Sequence, residues 1–343
     1  MKKLMNTLYI TRDKAYLSLD GQNIVISENN KTIAKLPLLN FESIVYFGYP
    51  GISPKLLGYL AENNIPISFL TPQGKFLARV NGEYHGNIIL RKKQYLISED
   101  EAQSIEISRN MIFGKVANQK FVLSKFSREY EKRINMECIK NVIEQLNFYL
   151  PKIKEAKDNK TLRGYEGFCA ELYFSVLDNL ILVNKENFYI KDRNKRPPKD
   201  NVNAMLSFLY TLLANDCSTA LETVGLDPYC GFLHADRAGR ISLGLDLMEE
   251  LRPVVVDRFV ITLINKKIIN DKHFESKSTE GVYFTEEGKK IILKYWQEKK
   301  EEEIIHPFLE EKIKYGLIPY SQALLLSRHL RDDIKGYPPF LWR

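Results

Sequence analysis

The pattern of apolar residues changes near residue 98, and this change constrains the fold more than any other feature. Before it, short apolar segments of strand length alternate with turn-forming sequences such as Asp20-Gly21, Asn29-Asn30 and Pro72-Gln73-Gly74. After it, apolar residues recur at helical spacing almost to the end. The sequence therefore predicts an α+β protein, with a β-rich domain in residues 1–90 and a larger helical domain in residues 91–343.

Within the first domain the pattern predicts one helix and several strands. Ser53 can cap a helix and Pro54 fits its first turn, whereas Asn63-Asn64 ends it. Strands are predicted at Ala15–Leu19, Ile24–Ser27, Thr32–Leu36, Ser43–Phe47, Ile65–Leu70 and Lys75–Val80. Ser98-Glu99-Asp100-Glu101 resembles a capping box, which predicts that the helical region begins there.

The composition excludes several classes of protein. Hydrophobic residues make up 44% of the chain and charged residues 27%, which argues against a disordered protein. Neither a signal peptide nor an apolar run long enough to span a bilayer is expected. The cysteines lack C-x-x-C spacing and predict reduced thiols in a cytoplasmic protein. The formal charge of +7 permits a polyanionic partner without proving one.

Glu166 lies on a predicted helix whose face is otherwise apolar. At helical spacing it shares that face with Cys169, Ala170 and Tyr173. A carboxylate there is costly to bury without a cation or a hydrogen-bond donor, so one interpretation is a metal ligand. The other is a helix-start residue at the rim of a core, paired with Arg163, and by itself the segment favours this second interpretation.

A polar stripe of Asn203, Ser207 and Tyr210 follows on another apolar helix, which Asp200 can cap. Such a stripe either satisfies buried polar groups or orients ligands and phosphates in an active site. The sequence leaves these two interpretations evenly balanced.

His234 and three nearby acidic residues form a further candidate cluster. Gly225, Pro228 and Gly231 precede His234 and predict a loop. Asp246, Glu249 and Glu250 then follow on one helix, at spacings that predict a common face. Crowded carboxylates repel one another unless a proton or a cation bridges them, and His with carboxylates suits Mn²⁺ or Mg²⁺. A solvated acidic face is the alternative, which the apolar residues around the acids disfavour.

The most basic run is a candidate for binding DNA phosphates. Its cations are Lys191, Arg193, Lys195 and Arg196. Lysine and arginine contacts supply most non-specific affinity for DNA, but such runs are commonly exposed loops with incidental charge. Arg240 and Arg252, which flank the acidic helix, are further candidates for neutralising phosphate.

Taken in order, these segments resemble the CRISPR-associated Cas1 integrase family. The motifs that carry the resemblance are Arg163…Glu166-Gly167…Ala170…Tyr173-Phe174, Asn203-Ala204…Leu206-Ser207…Tyr210, Gly231-Phe232-Leu233-His234 and Leu245-Asp246-Leu247-Met248-Glu249-Glu250…Arg252-Pro253. The closing Tyr337-Pro338-Pro339-Phe340-Leu341-Trp342 resembles the family's tail and points to the type I-C branch. The resemblance spans nearly the whole chain, and it is the joint set of motifs that is specific.

The resemblance implies a β-sandwich-like domain that dimerises and an α-helical catalytic domain. It implies that Glu166, His234 and Glu249 bind Mn²⁺ or Mg²⁺, with Asp246 as another catalytic acid near the metal. Some relatives carry Asp at the position of Glu249. The implied partners are double-stranded DNA, a second copy of the chain, the Cas2 protein and Cas4, with no membrane.

The implied reaction is transesterification, in which a DNA 3′-hydroxyl attacks a phosphodiester of the repeat. Water as the nucleophile would make the same site a nuclease. The alternatives are a metal-dependent, structure-specific repair nuclease and a DNA-binding scaffold without catalysis. Joining of a free 3′-hydroxyl end into a supercoiled target distinguishes the three, because a nuclease only cuts and a scaffold does neither.

Overall fold

The computed structural model describes residues 6–82, 87–133, 136–194, 197–235, 237–277 and 281–342. They form two compact units. The first contains the described part of residues 1–85, together with residues 284–304 and 313–317, and the second contains the remainder. The predicted division into functional domains at residue 90 stays a prediction, and the compact units add that the two later segments belong with the β-rich unit.

The β-rich unit contains two sheets around one apolar core. Its strands are β1 (Thr7–Ile10), β2 (Tyr16–Asp20), β3 (Asn23–Glu28), β4 (Lys31–Pro37), β5 (Ser43–Phe47), β6 (Ile67–Leu70) and β7 (Phe76–Val80), with helix α1 (Pro54–Glu62) between β5 and β6. One sheet has the order β1-β5-β6-β7 and the other is the antiparallel meander β2-β3-β4. Leu17, Ile24, Tyr46 and Leu56 from both sheets and α1 share the core.

Local signals in this unit explain its turns. Gly21 and the pair Asn29-Asn30 have positive φ, as hairpin turns require. The Ser53 side chain accepts a hydrogen bond from the Leu56 N–H and caps α1. The predicted strands and this helix are confirmed within a few residues, whereas strand β1 was not predicted.

The helical unit is larger and contains most of the helices. They are α2 (Ile88–Glu99), α3 (Glu101–Glu129), α4 (Met136–Glu155), α5 (Asn159–Leu177), α6 (Asn201–Thr223), α7 (Ser242–Glu249), α8 (Arg258–Asn265) and, nearer the end of the chain, α10 (Ile318–Leu330). A π-helical turn, Arg252–Asp257, connects α7 to α8. Helix α3 packs against α4, α5, α7 and this turn, which places its middle at the centre of the unit. The α+β class, with a small β-rich part and a larger helical part, is confirmed.

The helical region begins earlier than predicted and is capped by another residue. Asn87 caps α2 by accepting a hydrogen bond from the Ile89 N–H. Asp100, rather than Ser98, caps α3, because its carboxylate accepts from the N–H groups of Ala102 and Gln103. The cluster Arg91-Lys92-Lys93 interrupts the apolar pattern of α2, and for this reason the pattern did not predict this helix.

Short strands and one further helix complete the chain. The strands pair as β8 (Phe274–Lys277) with β9 (Gly281–Phe284) and β10 (Glu303–Ile305) with β11 (Lys312–Lys314), so the region after residue 91 is mainly, not wholly, helical. Helix α9 (Glu286–Glu301) carries many charged residues, but Ile292 and Trp296 on one side are buried. None of the described helices is both long and apolar enough to cross a membrane.

Candidate active site

Helix α5 presents Glu166 in its middle, two turns after the helix begins. Asp158 caps α5 by accepting a hydrogen bond from the Thr161 N–H, at 2.7 Å. Cys169 and Tyr173 on the same face are buried, as their spacing predicts, whereas Glu166 stays partly exposed. The alternative pairing of Glu166 with Arg163 is wrong, because the Arg163 guanidinium donates to the Leu233 carbonyl oxygen instead.

Glu166 forms its ion pair with Lys115, a residue of α3 that the sequence reasoning missed. The Lys115 ammonium contacts Glu166 Oε1 and also lies 2.7 Å from Glu249 Oε2. Only 4% of Lys115 is exposed. A signal was available in the sequence, because Lys115 falls between buried Ile112 and Val116 on the apolar side of a long helix. One buried ammonium thus joins two carboxylates that lie 83 positions apart.

Glu249 is buried at the end of α7 between two cations. Its Oε1 atom lies 2.8 Å from Nη1 of Arg252, whereas its Oε2 atom contacts Lys115. Burial alone would raise the pKa of Glu249, but the charges of Arg252 and Lys115 outweigh it and lower that pKa to about 2. The carboxylate is therefore charged at neutral pH, and the charge is stabilised by its surroundings.

Asp246 organises the loop that carries His234. Its Oδ2 atom accepts hydrogen bonds from the N–H groups of Phe232 and Leu233, at 2.7 and 2.9 Å. Its Oδ1 atom accepts from the His234 N–H and lies 2.5 Å from His234 Nδ1. A Cβ atom at Gly231 would stand 2.9 Å from Asp246 Oδ2, so the loop needs glycine there to come this close.

This pairing leaves the second ring nitrogen of His234 available. A proton on Nδ1, facing the Asp246 carboxylate, assigns the lone pair to Nε2. A carboxylate behind a histidine in this way is typical of histidines that bind metals. His234 is also close enough to Glu249 for the two side chains to interact electrostatically.

Glu250 does not join the other acids, so the prediction of one shared face is wrong for this residue. It is fully buried and accepts hydrogen bonds from the Tyr337 hydroxyl, the Gln322 amide and the Phe340 N–H. Burial raises the pKa of Glu250 to about 7, because these hydrogen bonds compensate only in part and no cation among the described residues offsets the remainder. Glu250 therefore fastens the C-terminal segment to α7.

A cavity of about 510 Å³ opens beside the paired carboxylates. The charged side chains that line it are four cations and four acids, namely Lys115, Lys191, Arg193 and Arg252 with Glu166, Glu171, Asp192 and Asp257. Cations and acids are equal in number, and the guanidinium groups of Arg193 and Arg252 are the groups there that suit a phosphate. Arg240 is not among the lining residues and lies in the loop before α7. Lys195 and Arg196 of the basic run lie outside the described residues.

The polar stripe of α6 holds one of these cations in place. Arg193 donates to Asn203 Oδ1 at 2.7 Å and to Ser207 Oγ at 3.1 Å. Tyr210 donates to Asp257 Oδ1, and the guanidinium carbons of Arg193 and Arg252 lie 5.4 and 5.0 Å from its ring centroid. The stripe thus satisfies buried groups and positions Arg193 at the cavity at the same time.

Asp257 is a further acidic residue at the cavity that the sequence reasoning missed. It is buried in the π-helical turn, and burial raises its pKa to about 6 despite the hydrogen bond from Tyr210 and the charge of Arg193. A π-helical turn is rare and occurs frequently at functional sites. Here it turns both Arg252 and Asp257 towards the cavity.

The residues present fit a divalent cation. Within residues 6–342, leaving out the undescribed positions, no three His, Cys, Asp or Glu side chains are close enough to hold an ion together. A cation nevertheless bridges Glu166 and Glu249, namely the Lys115 ammonium. Glu249 Oε2 is buried and accepts no hydrogen bond of good geometry from the described residues. Two carboxylates and an imidazole nitrogen are a suitable donor set for Mn²⁺ or Mg²⁺.

Comparison with known sequences identifies the family. The sequence model described as "CRISPR associated protein Cas1" matches residues 8–298. The chain is 44% identical over 347 aligned positions to CRISPR-associated endonuclease Cas1 2 of Rhodospirillum rubrum. It is 40% identical over 343 residues to CRISPR-associated endonuclease Cas1 1 of Chlorobaculum tepidum. In both comparisons the alignment covers all of this chain and all of the relative.

Solved structures share the fold. A CAS1 protein from Thermotoga maritima superposes with a TM-score of 0.80 at 26% identity, over 95% of this chain and 97% of that one. A Cas6-RT-Cas1--Cas2 complex contains a chain that superposes with a TM-score of 0.82 over all of this chain and 36% of its own length, but at 20% identity it shows the fold alone. The match to the family model and the full-length identity to these relatives show that the chain belongs to the CRISPR-associated Cas1 family.

Proposed function

We propose that this protein is a metal-dependent DNA integrase and endonuclease that inserts captured DNA into a CRISPR array. The observation that carries the proposal is the pair of carboxylates, Glu166 and Glu249, which converge on one cation beside a cavity that two arginines line. A site for a divalent ion next to a site for a phosphate is the arrangement that phosphodiester chemistry needs. The names of the full-length relatives, which call them endonucleases, agree with it.

Glu166, Glu249 and the Nε2 atom of His234 would hold Mn²⁺ or Mg²⁺. Bound there, the ion supplies a positive charge that stabilises the developing charge on the phosphate oxygens. Asp246 acts through His234, because it holds both the imidazole and the loop in position. We assign it a positioning role instead of direct contact with the metal.

The basic side chains at the cavity would receive the target phosphodiester. Arg252 is anchored by Glu249 and Arg193 by the α6 stripe, so both guanidiniums are held in place before DNA arrives. Lys191 at the cavity adds a third positive charge, and Arg240 is a further candidate for contact with the DNA backbone. Preorganised cations of this kind neutralise phosphate without rearrangement during the reaction.

Joining forms one bond to phosphorus and breaks another, so it needs no reactant other than the two DNA molecules. The 3′-hydroxyl oxygen of the incoming DNA forms a new bond to phosphorus, and the bond from phosphorus to the leaving 3′-oxygen breaks. The hydroxyl proton passes to solvent and the leaving oxygen takes one up. With water as nucleophile the same displacement cuts the DNA, so we expect both activities.

We further propose a cytoplasmic homodimer that dimerises through the β-rich unit. Its partners would be double-stranded DNA, Cas2 and, in some systems, Cas4, and its branch would be type I-C. The support is the resemblance of the motifs and tail, together with the similarity in fold to a chain of a complex that contains Cas2. A monomer in light scattering at micromolar concentration would contradict the dimer.

A joining assay tests the function. A labelled duplex with free 3′-hydroxyl ends is incubated with Mn²⁺, the protein and a supercoiled plasmid that carries CRISPR repeats. We expect the label to become covalently attached to relaxed plasmid, and we expect Glu166→Ala to abolish this while DNA binding persists. Glu144→Gln, which removes an exposed carboxylate of α4, is the matched control and should join normally. Cutting without joining would support the repair nuclease, and neither activity would support the scaffold.

A further inference from the structure

Lys115 is a buried cation at the centre of the site that the reaction described above does not use. Its ammonium contacts one oxygen of Glu166 and one oxygen of Glu249, and it also lines the cavity. Lysine is almost never fully buried unless it is paired, and here both partners are residues that would hold the metal. The position therefore needs an explanation that includes the metal.

The charges of the four side chains that pair at this point balance one another. Glu166 and Glu249 contribute two negative charges, which Lys115 and Arg252 offset. Removing one member of a buried ion pair leaves an uncompensated charge, so the metal-free fold depends on Lys115. A divalent ion between the same carboxylates would leave an excess of positive charge in a buried place, where repulsion between cations is strong.

Distances also argue against binding of the ammonium and a divalent cation by the same two carboxylate oxygens. An ammonium lies about 2.7 to 2.9 Å from a carboxylate oxygen, whereas a small divalent cation lies roughly 2.0 to 2.2 Å from it. The Oε1 atom of Glu166 and the Oε2 atom of Glu249 therefore cannot enclose both cations at once. Because Lys115 lines the cavity, its flexible side chain has space to turn away from the carboxylates.

We propose that Lys115 is a displaceable counter-ion, which bridges Glu166 and Glu249 in the metal-free protein and turns to a DNA phosphate in the cavity when a divalent cation binds. This inference rests on the proposed function. Metal binding would release the ammonium from the carboxylates, and a DNA phosphate would give it a new acceptor. Metal and DNA would therefore both favour the conformation in which Lys115 is turned away from Glu166 and Glu249. By linkage, DNA then raises the affinity for metal and metal raises the affinity for DNA by the same factor.

Binding of Mn²⁺ to Lys115→Met tests the proposal by calorimetry. Without DNA, we expect this variant to bind Mn²⁺ at least about fivefold more tightly than the unmodified protein, because no ammonium competes for the carboxylates. Adding a catalytically inert duplex with blocked 3′ ends should tighten Mn²⁺ binding in the unmodified protein and do so much less in the variant. A purely structural lysine would not produce a gain in affinity.

Lys120→Met is the matched control, since it removes the same charge from the same helix but from a residue that contacts Asn147. We expect its affinity for Mn²⁺ to be unchanged. Thermal unfolding in EDTA adds a second measurement, in which Lys115→Met should melt lower than the unmodified protein and recover most of the difference in Mn²⁺. Lys115→Gln, which keeps a hydrogen-bond donor, provides the comparison if the Met variant does not fold.

Two outcomes would overturn the proposal, and they differ in what else they imply. Equal or weaker Mn²⁺ binding by both Lys115 variants, in a protein that still joins DNA, removes the counter-ion role and leaves the proposed function intact. An unmodified protein that neither binds Mn²⁺ nor joins DNA removes both.

Discussion

Glu249 and Glu250 follow one another at the end of α7, yet their surroundings have little in common. Glu249 faces two cations, Lys115 and Arg252, and its pKa lies near 2. Glu250 faces the C-terminal segment, where it receives hydrogen bonds from neutral donors and its pKa lies near 7. Both side chains are buried, so burial alone does not account for the difference.

The comparison shows that the partners of a buried carboxylate decide its role. Cations keep Glu249 charged, and the same negative charge can be offered to a metal. Neutral donors hold Glu250 in place, so that its hydrogen bonds link α7 to the C-terminal segment. Glu249 thus serves the reaction and Glu250 serves the stability of the fold, so substitutions of the two residues should have different effects.

The largest expected difference is in catalysis. Glu249→Gln keeps the shape but removes the charge, so DNA joining should fall by more than about a hundredfold at every Mn²⁺ concentration. Glu250→Gln should retain joining within a few-fold when the protein is assayed below its melting temperature. Rates of joining, measured beside circular dichroism to verify folding, check the pair. Comparable losses of joining by the two variants would contradict the different roles of Glu249 and Glu250.

Asp246→Asn should have an intermediate effect. The amide keeps the size of the side chain but weakens the hold on the His234 ring and loop, so joining should fall about 10- to 100-fold and excess Mn²⁺ should restore part of it. His234→Ala removes the ligand itself and should not be rescued. If Asp246→Asn is as inactive as Glu249→Gln, and metal counting shows two ions per chain falling to one, then Asp246 binds a second ion and its positioning role is wrong.

The third expected effect is on stability as pH changes. The folded pKa of Glu250 is raised above its ordinary value of 4.5, so the unfolded chain loses this proton first as pH rises. Its contribution to the free energy of unfolding therefore falls between about pH 4.5 and 7, by on the order of 3 kcal/mol. Glu249 acts in the opposite sense, because its lowered pKa stabilises the fold above pH 4.5 and this stability is lost as pH falls towards 2.

Denaturant unfolding across this pH range measures the two contributions. Glu250→Gln should flatten the decline between pH 4.5 and 7 without changing the loss on the acid side. Glu249→Gln should leave the decline towards pH 7 in place. A profile of Glu250→Gln that parallels the unmodified protein would show that Glu250 is charged throughout.

Local patterns in the sequence predicted the elements better than the contacts between them. The spacing of Glu166 with Cys169 and Tyr173 indicated α5, and Gly231 indicated the loop before His234. The same spacing rules placed Glu250 with Glu249, which is wrong, since the C-terminal segment that binds it is about 90 residues away. Helical periodicity reports which residues share a helix face, but a partner on a distant segment can draw a side chain elsewhere.

Residues of the site that come from other helices were the hardest to predict. Lys115 and Asp257 lie on segments with no recognisable motif. The apolar neighbours of Lys115 indicate that it is buried, but the partners of both residues follow only from which helices pack together. The stripe of Asn203, Ser207 and Tyr210 was recognised, but its partner Arg193 was predicted only as a candidate for binding DNA phosphates, without its contacts to the stripe. The predicted metal ligands Glu166, His234 and Glu249 stay a prediction.

Crystals soaked in Mn²⁺ give the most direct test of the central claim that the Glu249 side of α7 is a metal site. An anomalous difference map should show a peak roughly 2.0 to 2.3 Å from oxygens of Glu166 and Glu249 and from Nε2 of His234, with the Lys115 ammonium displaced. No peak should appear beside Glu250. A peak bound elsewhere, or Lys115 still bridging both carboxylates at saturating Mn²⁺, would contradict the account.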